Sequence, residues 1–152
     1  MSYVKHVLLP DEKIRFITNI HWIKSVPAAL LFLLGCAIYL VSFKIQHMQT
    51  AVWLLGLAVM AAGIAALLVA WFRRWTTEIA VTDRRIIYKE GFISRKTIEM
   101  HMDKVESVDV DQSILGRILG YGDILVRGVG TGFEPFKTIA NAIEFRNHVT
   151  AE

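Results

Sequence analysis

The chain has 152 residues, 54% of them apolar, with 17 Lys/Arg against 14 Asp/Glu and a formal net charge of +3. That length suits one domain, or two if one is small, and the single cysteine, Cys36, excludes an intramolecular disulfide. A mean hydropathy of +0.43 implies either a large core or a membrane segment, and the apolar residues are unevenly spread.

From Ser25 to Phe43 the sequence SVPAALLFLLGCAIYLVSF runs 19 residues without a charge, and from Thr50 to Phe72 TAVWLLGLAVMAAGIAALLVAWF adds 23 more. At about 1.5 Å rise per residue, each as a helix would cross a hydrocarbon layer of roughly 30 Å. Separated only by residues 44–49, the two are expected to form a transmembrane helical hairpin. Trp22, Trp71 and Trp75 would mark one interface, and Tyr39 and Trp53 the other. Lys5, Lys13, Arg15 and Lys24 precede the first run, while Arg73, Arg74, Arg84, Arg85 and Lys89 follow the second. The connecting loop carries Lys44 alone. The positive-inside rule then puts both termini in the cytoplasm.

Two other readings compete. A soluble protein can bury a pair of helices, though seldom with uncharged runs of this length. Leu33-Leu34-Gly35-Cys36 imitates a lipoprotein cleavage site, but the chain stays apolar beyond Cys36 and opens with 24 mixed residues, unlike a signal peptide. Within the second run Ala58, Ala62, Ala66 and Ala70 recur every four residues, with Gly56 and Gly63 nearby. Small residues let membrane helices approach closely. This face either packs on the first run or serves as a subunit interface.

After Arg74 the pattern changes to short β-like runs. Thr76–Val81 is followed by the turn Thr82-Asp83-Arg84-Arg85, then Ile86–Lys89 and the turn Glu90-Gly91. Phe92–Met102 places Ile98, Met100 and Met102 on one face. Val105–Gln112 alternates Val108 and Val110 with Ser107, Asp109 and Asp111, and Asp123–Arg127 and Phe136–Ile139 add two more runs. Such spacing predicts an antiparallel sheet or barrel. Asn141-Ala-Ile-Glu144 resembles a capping box, opening a short helix whose inner face would include Ala142, Ile143, Arg146 and Val149.

Between two of these strands lies Ser113-Ile-Leu-Gly-Arg-Ile-Leu-Gly-Tyr-Gly122, an apolar knuckle with three glycines and one charge. Ile114, Leu115, Ile118 and Leu119 are spaced to share one face of a helical turn or two. A plug over the open end of the sheet is the expected role.

Several stretches carry a family resemblance: Val81-Thr-Asp-Arg-Arg-Ile-Ile-Tyr-Lys-Glu-Gly91, Ser94-Arg-Lys-Thr-Ile-Glu-Met100, Val105-Glu-Ser-Val108, the Gln112–Gly122 knuckle, and Leu9-Pro-Asp-Glu12 with His21-Trp22. In this order they resemble the bacterial pleckstrin-homology-like family in which a small PH-like domain follows a membrane hairpin. The resemblance covers nearly the whole chain. It implies a bent antiparallel sheet capped by one helix, and assembly of the kind that brings bacterial PH-like domains into rings. A PH-like domain has seven strands, and Thr76–Ala140 offers about six. Lys13–Trp22 alternates Ile14, Phe16, Thr18, Ile20 and Trp22 and is the candidate for the missing strand, with a helix as the alternative. On this view deletion of residues 1–12 alone would be tolerated.

Little points to catalysis. His6, His21, His47, His101 and His148 lack metal-ligand spacing, and no nucleophile arrangement can be argued. Asp103, Glu106, Asp109 and Asp111 divide between strand faces. Gly128-Val-Gly-Thr-Gly132 lacks the Lys-Ser/Thr of a phosphate loop and is followed by Pro135, so a hairpin tip is expected, with Phe133 as a contact residue. Residues 73–152 hold 12 Lys/Arg and 12 Asp/Glu. No basic face with interleaved aromatics marks nucleic-acid binding.

The sequence therefore predicts an α+β chain: a cytoplasmic segment 1–24, a transmembrane hairpin 25–72 and a cytoplasmic PH-like domain 73–152 in a bacterial inner membrane. It would act as a non-catalytic scaffolding module, without cofactor or metal, contacting membrane lipids, further copies of itself or a protein partner. Ala58, Ala62, Ala66, Ile114, Leu115, Ile118, Leu119 and Phe133 are candidate oligomer or partner contacts. The alternative is a binder of anionic headgroups through Arg73, Arg74, Arg84, Arg85, Arg95, Lys96 and Arg117.

Overall fold

The computed structural model describes residues 4–44, 49–91, 96–129, 131–132 and 136–150. The chain divides into two compact units, Met1–His21 with Arg74–Glu152, and Trp22–Arg73. Helix α1 (Val4–Val7) and strand β1 (Ile14–Thr18) come first. A 3-10 turn Trp22–Ser25, α2 (Val26–Ser42) and α3 (Gln49–Thr76) follow. Then come β2 (Glu78–Thr82), β3 (Arg85–Glu90), β4 (Lys96–His101), β5 (Val105–Asp111), α4 (Ile114–Leu119), β6 (Tyr121–Gly128), β7 (Thr131–Gly132), β8 (Phe136–Ala140) and α5 (Ala142–Thr150).

In the helical unit, α2 with its preceding turn and α3 are long and apolar enough to cross a membrane. They pack antiparallel through glycine. A Cβ on Gly35 would lie 2.5 Å from the backbone nitrogen of Met60, one on Gly56 2.8 Å from that of Tyr39, and one on Gly63 2.6 Å from the Phe32 Cα. Only glycine lets these backbones come so close. The buried residues of α2 are small, Ala28, Gly35 and Ser42, while Leu30, Leu33, Leu34, Leu54, Leu55 and Leu68 are exposed. Large side chains lie outside and small ones inside, the reverse of a soluble helical pair.

The alanine face does not make this contact. Ala58 and Ala62 are exposed and Ala66 half-buried, because at about 100° per residue Ala58 lies roughly 200° round the helix from Gly56. At the loop end, Tyr39 lies 6.4 Å from Trp53 and 5.3 Å from Phe43 between ring centroids.

The other unit is built from two antiparallel sheets. One has the order β1-β2-β3-β4; in the other, β6 pairs with β5 on one side and with β7 and β8 on the other. The isolated bridge between Ile20 and Ile139 ties the sheets at one corner. There His21 N–H donates to the Thr138 carbonyl at 2.8 Å and Ala140 N–H to that of Asn19 at 3.1 Å. The described strands thus form two ladders, not a single closed one. Ile79, Val81, Ile86 and Met100 from one sheet meet Ile124, Val126, Phe136 and Ile139 from the other, and Ala142, Phe145 and Val149 of α5 close this core.

Residues 14–18 form a strand, as their alternation predicts, and pair with β2. The alternation is interrupted by a register shift between Ile14 and Phe16. A bulge turns neighbouring side chains to different faces. Phe16 therefore joins the main core, whereas Ile14 packs with Val4, Ala80 and Ile87 on the opposite face of the sheet. The residues before β1 are part of the fold, because α1 covers that second face with Val4.

The inner face of α5 also differs from the expected one. Ala142, Phe145 and Val149 are buried, whereas Ile143 and Arg146 point outward. Asn141 has φ 53°, and its N–H donates to the Gly120 carbonyl at 2.7 Å. Glu144 does reach back to Asn141, but accepts from its side-chain amide at 3.1 Å.

Candidate functional site

Among the described residues, the knuckle between β5 and β6 is the most exposed apolar feature of the two-sheet unit. Ser113 caps α4, its hydroxyl accepting from Gly116 N–H at 3.1 Å, and Gly120 ends the helix in the left-handed region at φ 76°. Gly116 is buried against the sheet; a Cβ there would lie 2.7 Å from the Tyr121 carbonyl oxygen. The same oxygen accepts from Gln112 Nε2 at 2.9 Å. The helix is thus seated by its glycine, and its large side chains are left outside. Ile114 is 81% exposed, Leu115 61% and Ile118 74%. This corrects the plug reading: α4 covers no open end of the sheet with these residues. Their spacing places them together, but on the solvent side.

The knuckle adjoins the point where this unit joins the helical one. His21, the last residue before that junction, is buried with its ring 5.2 Å from that of Tyr121. Burial lowers its pKa below the usual imidazole value, and the charge of Arg74, the first residue after the helical unit, lowers it further. A hydrogen bond to the Leu119 backbone in α4 opposes both. His21, Arg74 and the end of α4 therefore share one end of the two-sheet unit.

The arginines do not form one patch. Arg73, Arg74, Arg84 and Arg117 are exposed, as is Lys96 at the start of β4. Arg74 precedes β2 and Arg84 follows it, so a five-residue strand of about 17 Å separates them. Arg95 and Phe133 lie outside the described residues.

Arg85 is a correction. It is buried, and its Nε and Nη2 donate to the Glu12 carboxylate at 3.0 and 2.8 Å. Nη1 donates to Glu99 at 2.7 Å, and Nη2 also to the Val7 carbonyl at 2.9 Å. A guanidinium held in this way cannot serve as a surface headgroup contact. Burial alone would raise the Glu12 pKa. Hydrogen bonds from Arg85, Leu9 N–H and the Thr82 hydroxyl overcome this and hold it at about 2. The Glu12 side chain has no exposed surface, so the pair is a clasp with no access for substrate. It joins Leu9-Pro-Asp-Glu12 to the turn Thr82–Arg85, two stretches that sequence reasoning noted without linking.

A model of the bacterial PH domain matches residues 20–152, from Ile20 through both apolar helices and all later strands. The chain belongs to the bacterial PH domain family. No curated protein and no solved structure matches it. A bacterial PH domain is a non-catalytic module. Among the described residues no group of three or more His, Cys, Asp or Glu could hold a metal ion. In this PH domain Asp103, Glu106, Asp109 and Asp111 are exposed, and Asp109 pairs with Arg127 at 3.1 Å. A shallow depression of about 200 Å³ between α4 and α5 is lined by Gln112, Arg117, Asn141 and Glu144. The Gly128 region is a hairpin, with Thr131 and Gly132 pairing back on Gly128 and Arg127.

Proposed function

We infer that this bacterial PH domain is anchored in a bacterial inner membrane by α2 and α3, with both termini cytoplasmic, and acts there as a self-associating scaffold. The observation that carries the reading is the inverted packing of the helical pair, glycines inside and leucines outside. Such a pair is suited to hydrocarbon, where close backbone approach supplies the packing energy. The excess of basic residues on the flanks, with Lys44 alone between the helices, supports the orientation. Ala58 and Ala62, exposed on the helical unit taken by itself, leave a narrow small-residue face for a second copy. The PH-like unit, with its exposed apolar knuckle, suits contact better than chemistry.

Recognition of anionic headgroups is the second reading, favoured by the exposed Arg74 and Arg117 of the two-sheet unit. Arg84 at the far end of β2 and the buried Arg85 give it no support.

Native mass spectrometry of the full chain released from mild detergent tests both. A discrete multimer that survives delipidation is expected. A monomer retaining anionic lipid would replace the scaffold with the headgroup reading.

A further inference from the structure

We propose that Ile114, Leu115 and Ile118 of α4 dip into the interfacial layer of the bilayer that holds the helical pair, fixing the PH-like unit against the membrane surface. The inference rests on the anchoring read above and adds a second, independent point of membrane contact.

Four observations carry it. The three side chains are 81%, 61% and 74% exposed, yet they stand on a firmly built turn: Ser113 caps it, Gly116 seats it on the Tyr121 carbonyl and Gly120 closes it. Their exposure is therefore a property of the fold. Second, α4 stands at the end of the unit where the chain leaves at His21 and returns at Arg74, since the buried His21 ring meets both Tyr121 and the Leu119 backbone. The apolar phase entered by the neighbouring chain is thus the one within reach. Third, Trp75, which lies in this unit just beyond Arg74, is largely exposed, as an indole at headgroup depth would be. Fourth, Arg117 on the knuckle and Arg74 beside it are exposed cations, which complement an anionic leaflet. Apolar side chains set among basic ones are the pattern of an interfacial contact. A protein groove would satisfy the isoleucines but gives no reason for their place beside the junction.

The test uses the full chain in liposomes with one environment-sensitive fluorophore at a time. The native Cys36 is labelled in one sample. In a Cys36→Ser background, Ile118→Cys is labelled in a second and Asp103→Cys, at the opposite end of β5, in a third. Ile118 is exposed, so its replacement leaves the fold intact. The Cys36 label should lose most of its emission to lipids carrying a nitroxide deep in the acyl chain. The label at 118 should lose most of its emission to lipids carrying it near the headgroup, in neutral phosphatidylcholine as well as in anionic vesicles, while the label at 103 is unaffected. If the Cys36 label is quenched and the label at 118 is open to aqueous iodide, the docking fails and the anchoring stands. A label at 118 shielded from both quenchers would mean that a second copy covers the face, and would also overturn the docking. Quenching confined to anionic vesicles would assign the contact to the arginines instead. If the Cys36 label is not quenched, the anchoring falls and the docking with it.

Discussion

Glu12 and Arg85 face each other through two parallel hydrogen bonds of 3.0 and 2.8 Å, although 73 residues separate them in sequence. Removing one member of a buried ion pair strands the other charge without water, which costs about 3–5 kcal/mol. Arg85→Ala and Glu12→Ala should each lower unfolding stability by that order in urea melts of the full chain. Deletion of residues 1–12 should do the same, against the expectation that this segment is dispensable. A double variant of Arg84 and Arg85 would accordingly report unfolding, not lipid binding.

The clasp also sets an acid limit. The Glu12 carboxyl is held at about 2 in the fold and returns to the ordinary range near 4.3 when unfolded. Because the folded pKa is depressed, the unfolded chain binds the proton first. The stabilisation is complete above about pH 4.5 and is lost as pH falls towards 2. Melting temperature should drop through that window, and Glu12→Gln should flatten the drop while lowering stability at neutral pH.

His21 predicts a second, milder loss. Its folded pKa is depressed by burial and by Arg74, so its contribution is present above the ordinary imidazole pKa near 6.5 and falls as pH drops through the lower folded value. Replacing the ring with an uncharged one, His21→Phe, should remove this component from the pH profile and leave the Glu12 component in place. An unchanged profile would show that His21 does not titrate with folding.

In the helical unit the two kinds of small residue should respond in opposite ways. Gly56→Leu and Gly63→Leu place a side chain where a Cβ already lies within 2.8 Å of the facing backbone, so they should separate the helices and raise protease sensitivity. Ala58→Leu and Ala62→Leu, on the exposed face, should leave the pair intact and shift subunit number in native mass spectrometry.

Around α5, Phe145 is fully buried and Ile143 is exposed. Phe145→Ala should cost about 3–5 kcal/mol and Ile143→Ala within about 0.5 kcal/mol, measured by chemical denaturation. Ile14→Asp and Phe16→Asp should both destabilise, from opposite faces of the same sheet.

These pairs also show which parts of the fold were legible beforehand. Strong periodicity carried β1, the apolar helices and α4, because backbone pairing and helix pitch are local consequences of side-chain spacing. What failed depended on partners distant in sequence. Nothing in Ile14-Arg-Phe16 announces the bulge that sends its two apolar residues to different faces. Ile143 and Phe145 are both apolar, and only the position of the sheet decides which is buried. Arg84 and Arg85 are identical as symbols; the carboxylate 73 residues upstream separates them. The knuckle's residues were grouped correctly and their direction was not, since the deciding contact is the seat of Gly116 on Tyr121.

The separation between Glu12 and Arg85 has a consequence for biosynthesis. At roughly 5–20 residues per second, the ribosome needs about 4–15 s to get from making the carboxylate to making the guanidinium. During that interval β1 has no β2 to pair with, and Ile14, Phe16 and Ile17 wait beside an open backbone edge while the two apolar helices are being made. Nascent-chain capture should be concentrated in this interval, and the lysine and arginine on either side of Ile14 then act as gatekeepers against premature strand association.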